Sequence, residues 1–185
     1  MPDVIFRDVK KEIRILGVDD SPFDKFKDKK TALIGVVFRG GIYLEGVLKK
    51  EVEVDGDDAT SGIIEMVKST RHRGHLRVLM LSGITFGGLN IVDIENLNRE
   101  TALPVIIVTR RLPDLSAMKK AISRVKNPDD YPDGGASRIK NAGSAYTSAG
   151  YKYHLDYPNY HPRSFGNPQI SLASNFGHQY AIITT

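Results

Sequence analysis

Apolar residues fall into two kinds of stretch along this chain, and the difference between them predicts most of its elements. Glu12 to Val18 reads as a strand, with Ile13 and Ile15 on the buried side and Leu16 at its margin. Ser21 to Lys30 breaks the pattern with Asp, Lys and Pro22 and reads as a loop. Thr31 to Phe38 is almost continuously apolar, as a central strand covered on both faces would be. Gly40-Gly41 then supplies the positive φ of a tight hairpin, and Ile42 to Val54 returns as a second strand, kinked or bulged near Gly46. So short a connection makes these two strands antiparallel.

From Asp58 the period lengthens. Ile63, Ile64, Met66 and Val67 form the stripe of an amphipathic helix, with Asp57 or Asp58 as its N-cap. A basic loop, Arg71 to His75, ends it. Arg77 to Leu81 predicts a short strand, Leu89 to Leu97 a helix, and Pro104 to Thr109 a further strand. Asp114, just after Pro113, caps a helix carrying Leu115, Met118, Ile122 and Val125. Strand, hairpin and then alternating helix and strand imply right-handed parallel crossovers in the second half of a mixed sheet. The expected domain is an α/β core over residues 1–127. Residues 128–185 form a tail packing on it or extending from it. Seven of the eight tyrosines lie beyond residue 130, and so many aromatics argue against complete disorder there.

Composition narrows the chemistry. A chain of 185 residues can build one real core, and without cysteine it has no disulfide, thiol nucleophile or Cys-ligated zinc. No apolar run approaches the ~20 residues of a membrane span, and the first residues lack the apolar stretch of a signal peptide, so a cytoplasmic protein with no membrane partner is expected. A net charge of +4 favours polyanionic partners, DNA or RNA.

The candidate chemistry is carboxylate-based. Asp19 and Asp20 end the first strand, where α/β folds deliver ligand groups. Asp19 is the candidate magnesium ligand, because a hard cation takes anionic oxygens; a solvated strand end is the plain alternative. Asp55, Asp57 and Asp58 open the first helix, where they either hold a metal or complement the helix dipole. Gly87-Gly88-Leu89-Asn90 is a turn able to cradle a phosphate, and Asp93 follows it. Arg39, Arg71, Arg73, Arg110 and Arg111 are candidate phosphate contacts. His154, His161 and His178 match no metal spacing. No nucleophile elbow, Walker loop or dinucleotide fingerprint occurs.

Five segments, in order, resemble an archaeal family of unknown function, domain-of-unknown-function family number 99, which is distantly similar to endonuclease V. They are Leu16-Gly17-Val18-Asp19-Asp20-Ser21-Pro22-Phe23, Gly35 to Gly41, Val54 to Thr60, Gly83 to Ile94 and Leu103 to Asp114. The resemblance implies an RNase H-like fold and metal-dependent cleavage of nucleic acid near deaminated purines. Asp19 matches the first-strand aspartate of such enzymes. Their later-strand aspartate falls at Ser82, and Asp57 is the nearest counterpart of their glutamate. The expected function is an endonuclease V-like nucleic-acid-binding protein, acting as a magnesium-dependent endonuclease with an incomplete carboxylate set. Asp19 and Asp57 would hold the metal, Asp93 would orient water or a second ion, and Arg39, Gly87, Gly88 and Asn90 would contact substrate. The alternative is a non-catalytic nucleic-acid or nucleotide-binding module on the same fold.

Overall fold

The computed structural model describes residues 11–109, 114–122, 169–173 and 180–184. The chain opens with three strands, β1 (Arg14–Asp20), β2 (Lys30–Arg39) and β3 (Tyr43–Glu53), followed by α1 (Ala59–Ser69) and β4 (Leu76–Ser82). Two short strands, β5 (Thr85–Phe86) and β6 (Asn90–Ile91), lead into α2 (Ile94–Thr101), β7 (Val105–Thr109) and α3 (Leu115–Ile122). The last described strands are β8 (Gln169–Ala173) and β9 (Tyr180–Thr184).

Seven of the described strands join one sheet in the order β3-β2-β1-β4-β7-β9-β8, while β5 and β6 pair with each other. The β1–β2 and β2–β3 pairs are antiparallel, and β1–β4, β4–β7 and β7–β9 are parallel. This is the mixed α/β sheet of hairpin plus parallel strands that the pattern predicts. Gly40 and Gly41 turn the hairpin at φ of 62° and 71°. The register shift that follows, where Val37 pairs Gly46 but Phe38 pairs Leu44, is a bulge that leaves Glu45 as the extra residue.

One face of the sheet carries the core. Leu16, Val18, Leu33, Val37 and Val52 meet Ala59, Ile63, Met66 and Val67 of α1 and Ile94 and Leu97 of α2. Burying each large aliphatic chain here contributes roughly 1.5–3 kcal/mol. α1 sits close because Gly35 lies beneath it: a Cβ there would come within 2.5 Å of Met66 Cε. Met118 of α3 packs against the same core.

The structure reverses the expected parity of β1. Leu16 and Val18 are the fully buried residues, while Ile13 and Ile15 are half-buried. Both faces of this strand are apolar, so alternation alone does not say which one meets the helices. The expected Leu89 to Leu97 helix also starts later, at Ile94, because Asn90 and Ile91 pair with β5 first. Asp114 caps α3 as expected, accepting the N–H groups of Ser116 and Ala117 at 2.9 and 3.0 Å. Pro113, Val125 and residues 128–168 lie outside the described residues; beyond them β9 pairs with β7 and β8 with β9 at the sheet margin. No described helix is long and apolar enough to cross a membrane.

Candidate functional site

Successive side chains on a strand leave by opposite faces, and at the end of β1 this separates two adjacent carboxylates. Asp20 turns to the helix-covered side, where its Oδ2 accepts the Gly87 N–H at 2.7 Å. Asp19 turns to the other side and is exposed. The N–H of Asp20 donates to Asp19 Oδ1 at 3.0 Å, and Ser82, at the end of neighbouring β4, lines the same groove, where its hydroxyl favours the charged form of Asp19. A shallow groove of about 370 Å³ opens beside them, floored by Gly17, Ile34, Val36, Met80 and Val108.

Partial desolvation pushes the Asp19 carboxyl above its ordinary value; the Asp20 charge adds to the rise, and the Asp20 N–H and Ser82 hydroxyl oppose it. Among the described residues, none of the groups acting on it is a cation. A carboxylate left in that condition at a strand end, over a groove, is the kind of group that chemistry uses.

The other candidate residues at this end are committed to the fold. Asp55 adopts a left-handed conformation at φ 55°. Its N–H donates to the Gly87 carbonyl at 2.7 Å, and its Oδ1 accepts the Leu89 N–H at 2.8 Å. Asp58 occupies the N-cap position of α1 but makes no capping bond. Its carboxylate instead takes the Glu53 N–H at 3.1 Å and Asn90 Nδ2 at 2.7 Å. Asn90, fully buried, supplies the missing cap, its Oδ1 accepting the Ala59 N–H at 3.0 Å. Asp93 is the N-cap of α2 and accepts the Asn96 N–H at 2.9 Å. Asp57 is half-exposed in the turn between β3 and α1.

These bonds bear on the expected phosphate cradle. Two of the N–H groups of the Gly87–Leu89 turn already face carboxylates, from Asp20 and Asp55, so a phosphate arriving there would meet two like charges. Asn90 is enclosed. Gly88 closes the corner, since a Cβ on it would run into Asp55 Oδ1.

Arg39 lies at the far end of the sheet. It pairs with Arg14 across β1, whereas Asp19 pairs with Ile34. The five residue-to-residue steps of strand from Arg14 to Asp19 span about 16 Å. Arg39 donates to Glu45 at 2.7 Å, bridges Glu12 at 3.2 Å and lies over the Tyr43 ring. Arg14 reaches the same Glu45 at 2.6 Å. The Arg14 and Arg39 guanidiniums hold the Glu45 carboxyl below its usual range. Arg71 also belongs to this end, donating to the Glu45 carbonyl at 3.4 Å. Arg110, Arg111, His154, His161 and His178 lie outside the described residues.

Among the described residues no three Asp, Glu or His side chains gather into a metal-ligand set. Sequence reasoning missed the role of Asp20, Asp55 and Asn90 as clamps on the glycine turn. The left-handed turn at Asp55-Gly56 was the available signal. It also missed an aromatic standing bare in the Asp- and Lys-rich loop after Pro22.

An acidic strand end beside a parallel neighbour in a mixed α/β sheet defines the class of protein to which comparison can be made. The family model described as endonuclease dU matches residues 11–152, and the chain belongs to that family. A UPF0215 protein of Methanothermobacter thermautotrophicus is 56% identical over 117 residues, which is 63% of this chain. The chain spans 57% of that relative's length. A crystal structure of a protein of unknown function from Archaeoglobus fulgidus superposes with a TM-score of 0.62 at 37% identity, over 78% of this chain and 75% of that one. Ciona intestinalis endonuclease V, solved with inosine-containing DNA, gives a TM-score of 0.43 at 13% identity, too distant to carry an argument.

Proposed function

We infer that this chain binds nucleic acid across the Asp19 end of its sheet and that its own phosphodiester hydrolysis there is slow. The observation that carries the reading is the position of Asp19: exposed at the end of a central strand, with no cation acting on it among the described residues, its proton affinity raised, on the rim of an open groove. Membership of the endonuclease dU family supplies the substrate class. We take it to be a strand containing a deaminated base, uracil first and hypoxanthine second.

A divalent cation takes several oxygen ligands, and each anionic one offsets its dehydration. At the groove the described residues offer one carboxylate and one neutral hydroxyl, Ser82. That set does not fit a tightly held magnesium ion. The side chains acting on Asp19 are those of Asp20 and Ser82, so the proposal rests on Asp19 without Asp57. Asp93 is left to its helix cap. In this reading Asp19 accepts a proton from the attacking water, whose oxygen bonds to phosphorus as the phosphorus–oxygen bond to the leaving strand breaks and the leaving oxygen takes a proton from solvent, a task the raised proton affinity of Asp19 suits. The neutral Ser82 favours a second reading, a binding module on the same fold that cuts nothing.

Titration of fluorescein-labelled uracil-containing single and double strands at two ionic strengths tests the shared part of both readings. Binding that weakens steeply with salt is expected, since phosphate contacts release counterions. No binding even at low salt would overturn both. Residual cleavage that Asp19→Asn abolishes while binding persists separates the enzyme from the module.

A further inference from the structure

The chain between β1 and β2 leaves the sheet at Ser21, two residues after Asp19, and returns at Lys30. Its neck is closed by four hydrogen bonds. The Ser21 N–H donates to the Ala32 carbonyl at 2.8 Å, and the Ala32 N–H to Ser21 Oγ at 3.2 Å. Thr31 Oγ1 donates to the Ser21 carbonyl at 3.0 Å and meets Ser21 Oγ at 3.1 Å. The tip is equally fixed. Asp24 accepts the Phe26 N–H on its carboxylate at 3.0 Å and the Asp28 N–H on its carbonyl at 2.8 Å, and its own N–H reaches Asp28 Oδ2 at 2.8 Å.

This ordered loop presents Phe26 with 95% of its surface exposed. A phenyl ring so placed contributes nothing to the core, and the hydrogen bonds around it hold it outward. Lys25, Lys27, Lys29 and Lys30 lie within four residues of it along the chain, all exposed, against the two aspartates that build the loop. Lys27 bridges Asp24 at 3.3 Å. Five chain steps lead from Ser21 at the neck to Phe26, so the Cα of Phe26 stands within about 17 Å of Ser21, at the Asp19 end of the sheet. That is a few nucleotides of a single strand.

We propose that the Phe26 loop is a base-stacking contact for single-stranded nucleic acid entering the Asp19 groove, with Lys25, Lys29 and Lys30 on the flanking phosphates. An aromatic face accepts any base, and the surrounding cations supply the sequence-independent part of binding. The loop lies at the edge of the molecule that carries Asp19, not at the Arg14–Arg39 end. This contact deepens the nucleic-acid reading above and rests on it.

The chain contains no tryptophan, so Phe26→Trp places a single reporter at the loop tip. The probe is a uracil-containing 15-nucleotide single strand, read before slow cutting can accumulate, with binding followed separately by anisotropy of a labelled copy. Stacking predicts that the emission of the introduced indole is quenched in step with the anisotropy. Phe26→Ala is expected to weaken binding about tenfold or more. Replacing Lys25 and Lys29 together by alanine should flatten the salt dependence by roughly one to two phosphate contacts. Anisotropy that rises while the indole emission and the Phe26→Ala affinity stay unchanged overturns the loop contact and leaves nucleic-acid binding standing. No anisotropy change at low salt overturns both. A blue shift on phosphatidylserine vesicles without any response to the strand would assign the loop to a membrane surface and overturn the proposal.

Discussion

Asp19 and Asp20 are the same residue type, adjacent on one strand, and they enter two regions that treat a carboxylate in opposite ways. On the covered side Asp20, Asp55 and Asp58 are each met by backbone N–H groups or by Asn90, and they hold the glycine turn, the end of β3 and the start of α1 together. On the open side Asp19 is exposed and partly desolvated, and among the described residues the Asp20 N–H and the Ser82 hydroxyl, not a cation, stabilise its charge. The lesson is that an acidic cluster read along a sequence divides, in space, into acids that build and one acid left over. The leftover is the functional candidate, because the fold gains nothing from it.

The largest test of that contrast falls on the covered side. Asn90 is fully buried and bonds the Ala59 N–H, the Glu53 carbonyl and the Asp58 carboxylate. Asn90→Ala would leave a buried donor and a charge without their partner, so a loss of about 2–4 kcal/mol is expected in urea unfolding. A loss within experimental error would mean that the corner does not hold the fold together. Asp20→Ala should cost less, about 1–2 kcal/mol, as one charge-assisted bond to the Gly87 N–H goes.

How much of this division could be read from residues alone is instructive. The Gly40-Gly41 hairpin, the α1 stripe and the Asp114 cap are local signals, and each stands where the pattern puts it. The placement of Asp19 at a strand end is local too. Which of Asp55, Asp57 and Asp58 serves the fold is not, because their partners, Gly87, Leu89 and Asn90, arrive from some thirty residues away. The two-residue strands β5 and β6 escaped for a different reason: Asn90 and Ile91 have a helical-looking spacing, and a pairing with Phe86 and Thr85, only four to six residues back, overrides it. Leu16 and Val18 displaced Ile13 and Ile15 from the core because α1 chooses the face, and β1 is apolar on both. The chain's last strands took their place by pairing at the sheet margin, without a period of their own.

A smaller effect sharpens the comparison through pH. Asp19 has a raised carboxyl pKa in the folded state, so folding favours its protonated form. Its contribution to stability is full below the unfolded value and is lost as pH rises through the folded value. Asp19→Asn should therefore leave stability unchanged or increase it at neutral pH, with the gain vanishing in acid; urea midpoints at pH 7 and pH 3 read this. Glu45 is the counterpart of opposite sign. Its folded pKa is lowered by Arg14 and Arg39, so its contribution is present above the ordinary glutamate value and fades as pH falls through the folded one. A neutral-pH loss on Asp19→Asn as large as that of Asp20→Ala would erase the distinction between the two aspartates.

The central claim, that Asp19 marks a nucleic-acid-processing end weakened by a neutral Ser82, is tested most directly by one cleavage assay. Labelled uracil-containing and inosine-containing strands are incubated with magnesium and either the natural chain or Ser82→Asp, with calorimetry of the metal alone alongside. The account predicts slow or no cutting by the natural chain. It predicts tighter metal binding by Ser82→Asp, because a second anionic oxygen then faces the ion, and cleavage that Asp19→Ala abolishes. Efficient cutting by the natural chain, unaffected by Asp19→Ala, would contradict it and move the reacting centre away from the end of β1.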